Sequence, residues 1–92
     1  MSIKVMSLVW EHSKQSGSNL LILLAMADFS HDTGGGIYPS VKQLARKARM
    51  TERNVQYAIS DLKGSGELTE VKPGGGRSAT EYRICLEALR GE

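Results

Sequence analysis

Apolar residues recur at helical spacing, then run together, then return to helical spacing twice, and finally alternate with polar ones. Each regime predicts an element. Val5, Leu8, Val9 and His12 lie at i, i+3, i+4 and i+7, which predicts a first helix from Ile3 to about Ser13, with Met6 and Trp10 as further packing residues. Ser16, Gly17 and Ser18 interrupt it. Ser18 is the expected N-cap of a second helix reaching about Phe29, and the near-continuous apolar sequence NLLILLAMADF predicts burial on most sides, hence a central core helix. The following SHDTGGG combines turn formers with glycines and predicts an exposed, flexible connection able to adopt positive φ.

Ile37 and Tyr38 are expected in a short strand that Pro39 stops, and Ser40 with Gln43 three residues later forms a capping-box pattern. The third helix then spans Val41 to about Ala48, with Val41, Leu44, Ala45 and Ala48 inward and Lys42, Gln43, Arg46 and Lys47 outward. Arg49 and Met50 make a turn, and Thr51 caps a fourth helix from Glu52 to about Lys63, ended by Gly64 and Gly66. Two capped helices joined by so short a turn predict a helix-turn-helix. Alternation over 67–72 and 80–86, around the tip PGGGRSA, predicts a β-hairpin, the wing, at about 67–86. Leu68, Val71, Tyr82, Ile84 and Leu86 are its expected buried contacts; a bulge near Thr69 would reconcile the parity of Leu68 and Val71. Glu87 to Glu92 are left as either a helical start or a disordered end. The fold class is therefore mostly α with a small β-hairpin, in the order α-α-β-α-α-β-β, and the length predicts a single domain over residues 1–92.

Charge sharpens this picture. The net charge is only +2, but positions 41 to 65 hold six basic side chains (Lys42, Arg46, Lys47, Arg49, Arg53, Lys63) against Glu52 and Asp61, a local surplus of four. A local surplus attracts a polyanion through its field and through counterion release, which makes double-stranded DNA the leading partner; the alternative is an ordinary solvated face. The lone Cys85 excludes an internal disulfide and is expected as a buried small hydrophobe, and no apolar run approaches a bilayer span. A cytoplasmic, bacterial or phage-encoded protein acting at the nucleoid is expected, with no membrane association.

At about 100° per residue, Val55, Ala58, Ile59 and Leu62 turn inward and leave Arg53, Gln56, Tyr57 and Ser60 on the opposite side of the fourth helix. With Asn54 these are the candidate base readers, because Arg suits guanine while Asn and Gln suit adenine in the major groove. Tyr57 can reach a phosphate or pack on a thymine methyl. Ser40, Lys42, Arg46, Lys47, Arg49, Thr51 and Lys63 are the expected backbone contacts, joined in the wing by Lys72, Gly75, Arg77 and Ser78. Either the glycine-rich tip follows a phosphate backbone and inserts Arg77 into a minor groove, or it is simply a long, mobile loop.

Catalytic readings find little support. Neither glycine triplet leads into Lys-Ser/Thr between a strand and a helix, so a nucleotide-cradling loop is not expected. His12, His31, Asp32 and Cys85 lack ligand spacing, and no serine, histidine and carboxylate grouping can be argued. No enzyme activity, cofactor or metal is expected.

The stretches MSIKVMSLVWEHS and LLILLAMADFSHDTGGGIYPSVKQLARKARMTERNVQYAISDLKGSGELTEV resemble the winged helix-turn-helix domain of phage and plasmid replication initiators and related prophage regulators. The Pro-Ser, Leu-Ala, Thr, Arg-x-Val, Leu and Gly-x-Leu pattern within YPSVKQLARKARMTERNVQYAISDLKGSGEL carries the resemblance most specifically. It implies DNA binding by the helix starting at Glu52, often as a homodimer on a repeated or palindromic site, without catalysis by this domain. Initiators usually carry further domains that recruit a replication protein, and the chain has no room for one, which favours an isolated domain or a small transcriptional regulator. Tyr57 stands where similar proteins frequently have a basic residue. The competing expectation is a winged-helix module whose first helix and wing bind another protein.

Overall fold

The computed structural model describes residues 2–74 and 80–91. Its elements are α1 (Ile3–His12), α2 (Gly17–Phe29), α3 (Val41–Ala48), α4 (Glu52–Ser65), β1 (Leu68–Lys72), β2 (Glu81–Ile84) and α5 (Leu86–Arg90). The mostly helical architecture with a two-stranded antiparallel hairpin is the winged helix-turn-helix arrangement that the sequence predicts.

Helix α1 begins where the Ser2 side chain accepts a bond from the Val5 amide, and it buries Val5 and Val9 while His12 and Trp10 stay exposed. Trp10 is thus not a core residue; it retains 65% of its surface. Helix α2 is the centre of the core, with every residue from Ile22 to Ala27 buried. Its N-cap is Ser16 rather than Ser18, and Gly17 enters the helix at φ +56°, which a β-carbon would disfavour. Leu44, Val55, Ile59, Leu62, Leu68 and Ile84 close the core from the other elements.

The connection after α2 departs from the flexible linker expected. Gly34 is buried, its amide donates to the His31 carbonyl at 2.8 Å, and its carbonyl accepts from the Ile84 amide at 2.8 Å. Glycine is needed there for two reasons: φ is +88°, and a β-carbon would run into the Ile84 carbonyl oxygen. The loop is therefore strapped to the wing. Ile37 continues the strap as an isolated antiparallel bridge to Tyr82, which places the short strand expected at Ile37 and Tyr38 beside β2.

The hairpin pairs Leu68 with Ile84, Thr69 with Arg83, Glu70 with Tyr82 and Lys72 with Glu81. The irregularity falls between Glu70 and Lys72, not near Thr69, so Val71 is the extra residue and is pushed outward to 53% exposure. Leu68, Tyr82 and Ile84 supply the buried contacts. Leu86 lies beyond the strand and opens α5, which buries Leu86 and Leu89. Cys85, at the junction, is half-buried, with its thiol 3.4 Å from a Glu87 carboxylate oxygen. No helix among the described residues is long and apolar enough to cross a membrane.

Candidate nucleic-acid interface

The helix-turn-helix is set by its caps. The Ser40 hydroxyl accepts from the Gln43 amide at 3.1 Å while the Gln43 side chain accepts from the Ser40 amide at 2.8 Å, so both predicted halves of the capping box are present. Arg49 ends α3 in the left-handed conformation at φ 57° and ψ 48°, and the Met50 amide donates to the Ala45 carbonyl at 2.9 Å. A non-glycine residue there costs roughly 1–2 kcal/mol, which the packed turn sustains. Thr51 then starts α4 by accepting from the Asn54 amide at 3.1 Å. Helix α4 continues through Gly64 and Ser65, past the predicted end, and stops at Gly66 with φ +86°.

Val55, Ala58, Ile59 and Leu62 of α4 are buried, which leaves Arg53, Asn54, Gln56, Tyr57 and Ser60 exposed. At about 100° per residue, Arg53, Tyr57 and Ser60 point most directly away from that core face, with Gln56 toward one flank and Asn54 toward the other. Gln56 and Ser60 border a cleft of about 280 Å³ between α4 and the hairpin, which Val41, Ile59, Lys63 and Tyr82 complete. The Asn54 flank also carries Asp61, whose carboxylate accepts from Asn19 at 3.3 Å.

The six helical cations divide into two groups. Lys42, Arg46, Arg49 and Arg53 are exposed and make no ion pair among the described residues. Lys47 instead sits 2.6 Å from the Asp28 carboxylate and 5.3 Å from the centre of the Phe29 ring, so its charge is engaged with the end of α2. Lys63 reaches Glu70 of β1 at 3.4 Å. Neither partner is foreseeable from local pattern, because Asp28 lies on another helix and Glu70 on the hairpin.

A carboxylate that sequence reasoning missed fixes the junction between α4 and the wing. Glu67 is buried and accepts from the Ser13 hydroxyl at 2.6 Å, the Lys14 amide at 3.2 Å and the Gln15 side-chain amide at 3.2 Å. Its own carbonyl accepts from the Cys85 amide at 2.8 Å. Glu67 occupies a charged position just before a strand, which reads as surface; only the chain between α1 and α2 folding back supplies the donors.

Lys72 is exposed at the described end of β1, and Gly74 donates its amide to the Thr80 hydroxyl at 3.1 Å. The wing residues Gly75, Arg77 and Ser78 lie outside the described residues. Burial, chiefly, and then the nearby Glu70 raise the Tyr82 phenol above its ordinary pKa, so it stays neutral under physiological conditions. The Glu81 carboxylate does the same for the exposed Tyr38. Among the described residues, no group of three His, Cys, Asp or Glu side chains converges where a metal could be held.

Comparison with known proteins fits this geometry. Residues 16–66 match the family described as the helix-turn-helix domain, covering α2 through the end of α4. Protein YmfN of Escherichia coli (strain K12) is 36% identical over 72 residues, a region amounting to 75% of this chain and 16% of that relative. The chain thus spans about a sixth of the relative's length. No solved structure gives a significant match.

Proposed function

The chain belongs to the helix-turn-helix domain family, and we propose that it binds double-stranded DNA by laying α4 in the major groove. The observation that carries this is the separation of roles on α4: four apolar residues are committed to the core, while Arg53, Gln56, Tyr57 and Ser60 are exposed, and Lys42, Arg46 and Arg49 of α3 and the turn are exposed and unpaired among the described residues. Arg53, Asn54 and Gln56 are assigned to base edges, and Tyr57 to a phosphate or a thymine methyl. Lys42, Arg46 and Arg49 hold the phosphates on either side. Ser40 and Thr51 accept their cap bonds through oxygen and keep their own O–H groups for a phosphate. Lys72, with Gly75, Arg77 and Ser78, extends the contact from the wing.

The same contact serves a small transcriptional regulator and the DNA-binding domain of a replication initiator in a bacterial or phage context. It requires no catalysis by this domain. The test is retention of random duplexes by the purified chain across a salt series, followed by sequencing. An enriched motif with a steep salt dependence supports sequence-specific binding. Salt-sensitive retention without a motif reduces the proposal to backbone binding, and absence of retention at low salt overturns it in favour of a protein-interaction module.

A further inference from the structure

The outer side of α1 is an apolar surface that the DNA-binding proposal leaves unused. Ile3 and Trp10 keep 71% and 65% of their surface. Met6 lies between them in sequence and lines a groove of about 310 Å³ with Leu21, Leu24, Ala25 and Ala48, to which the paired Asp28 and Lys47 also contribute. At about 100° per residue, Ile3, Ser7 and Trp10 form one stripe, with Met6 and the groove along one edge. Lys4 and Glu11 fall together along the other edge, seven residues apart and opposite in charge.

We infer that this surface binds a second copy of the chain through an antiparallel α1–α1 contact. The charge pattern selects that occupant. A two-fold axis beside Ser7 makes like edges neighbours and reverses their direction, so Lys4 of one protomer meets Glu11 of its partner, and the pair repeats. A parallel two-fold would instead set each Lys4 and Glu11 edge against the partner's Met6 edge and leave both charges without this pairing. Lys4 makes no ion pair among the described residues, and Glu11 has only the adjacent His12 imidazole at 3.8 Å. Ser7 is small enough at the crossing for the helices to approach, while the two Met6 edges bring the grooves together on the opposite side. Within its own protomer, α1 packs chiefly on α2 and α5, whereas α4 packs on α2, α3 and β1, so the dimer leaves the α4 face open.

Sedimentation equilibrium of the full chain without DNA tests this independently of whether it binds DNA. The wild-type chain is expected to dimerise reversibly, and Ile3→Ser with Trp10→Ser to be monomeric; in solution dilute enough that the wild type is also monomeric the two should melt at the same temperature, since both side chains are exposed within one protomer. Lys4→Glu and Glu11→Lys should each raise the dimer dissociation constant roughly three- to tenfold, because exposed pairs contribute little and repulsion replaces two of them. The double variant Lys4→Glu/Glu11→Lys should return to the wild-type value. A wild-type chain that stays monomeric at millimolar concentration overturns the inference, as does a dimer that survives loss of Ile3 and Trp10 or a double variant no better than the singles.

Discussion

Six cations lie on the helix-turn-helix, but their pairing predicts that they contribute unequally to the salt dependence of DNA binding. Lys42, Arg46 and Arg49 are exposed and unpaired among the described residues, whereas Lys47 is 2.6 Å from Asp28 and Lys63 is 3.4 Å from Glu70. Each phosphate contact contributes about 0.9 to the slope of log K against log salt on duplex DNA. With Arg53, also unpaired among the described residues, assigned to a base edge, the three cations assigned to phosphates account for about 2.7 of the slope, and each for about a 3.5-fold loss of affinity between about 50 and 200 mM salt. Lys42→Ala should lower the slope by about 0.9, while Lys47→Met and Lys63→Met should leave it unchanged even if they weaken binding by loosening α3 or the hairpin. Fluorescence anisotropy with a labelled random duplex over that salt range separates the two effects. Equal slope losses for Lys47→Met and Lys42→Ala would refute the division, because the Asp28 pair would then have to open on DNA. Unchanged slopes for Lys42→Ala, Arg46→Ala and Arg49→Ala would refute the docking face itself.

Two further substitutions test the frame that holds this face. Gly34→Ala combines a φ of +88° with a collision against the Ile84 carbonyl oxygen, and should cost about 3 kcal/mol, lowering the melting temperature by roughly 12–24 °C; Gly64→Ala, in the open on α4, should instead raise it by a few degrees. A Gly34→Ala melt within about 2 °C of wild type would mean that the loop is not strapped to β2. Glu67→Ala removes the acceptor of three donors, the Lys14 amide among them, and should cost about 2 kcal/mol in urea unfolding with m unchanged. A loss below about 0.5 kcal/mol would show that water replaces the carboxylate.

Much of the α3 and α4 unit was legible because its signals are local. Ser40 with Gln43 and Thr51 mark the helix starts, and the apolar positions of α4 are those that are buried. What the sequence hid depends on contacts between distant segments. The glycines after α2 read as a flexible linker because composition cannot show that Gly34 bonds to Ile84. The bulge was expected near Thr69 on the assumption that Val71 is buried; the register places the extra residue at Val71 and removes the need to bury it. Trp10 looked like core because large aromatics usually are, yet Val5 and Val9 already fill the inward side of α1. Lys47, Lys63 and Glu67 were legible as charges but not as paired or buried ones, since their partners lie on other elements.

If the exposed side of α4 reads base edges, Arg53→Ala must weaken binding selectively on the preferred sequence. Affinity is to be measured on a duplex enriched from the random library and on an unrelated duplex at one salt concentration. A loss of roughly 1–3 kcal/mol is expected on the enriched duplex and little change on the unrelated one. Equal losses on both would make Arg53 a phosphate contact, and no loss on either would contradict the placement of α4 in the groove.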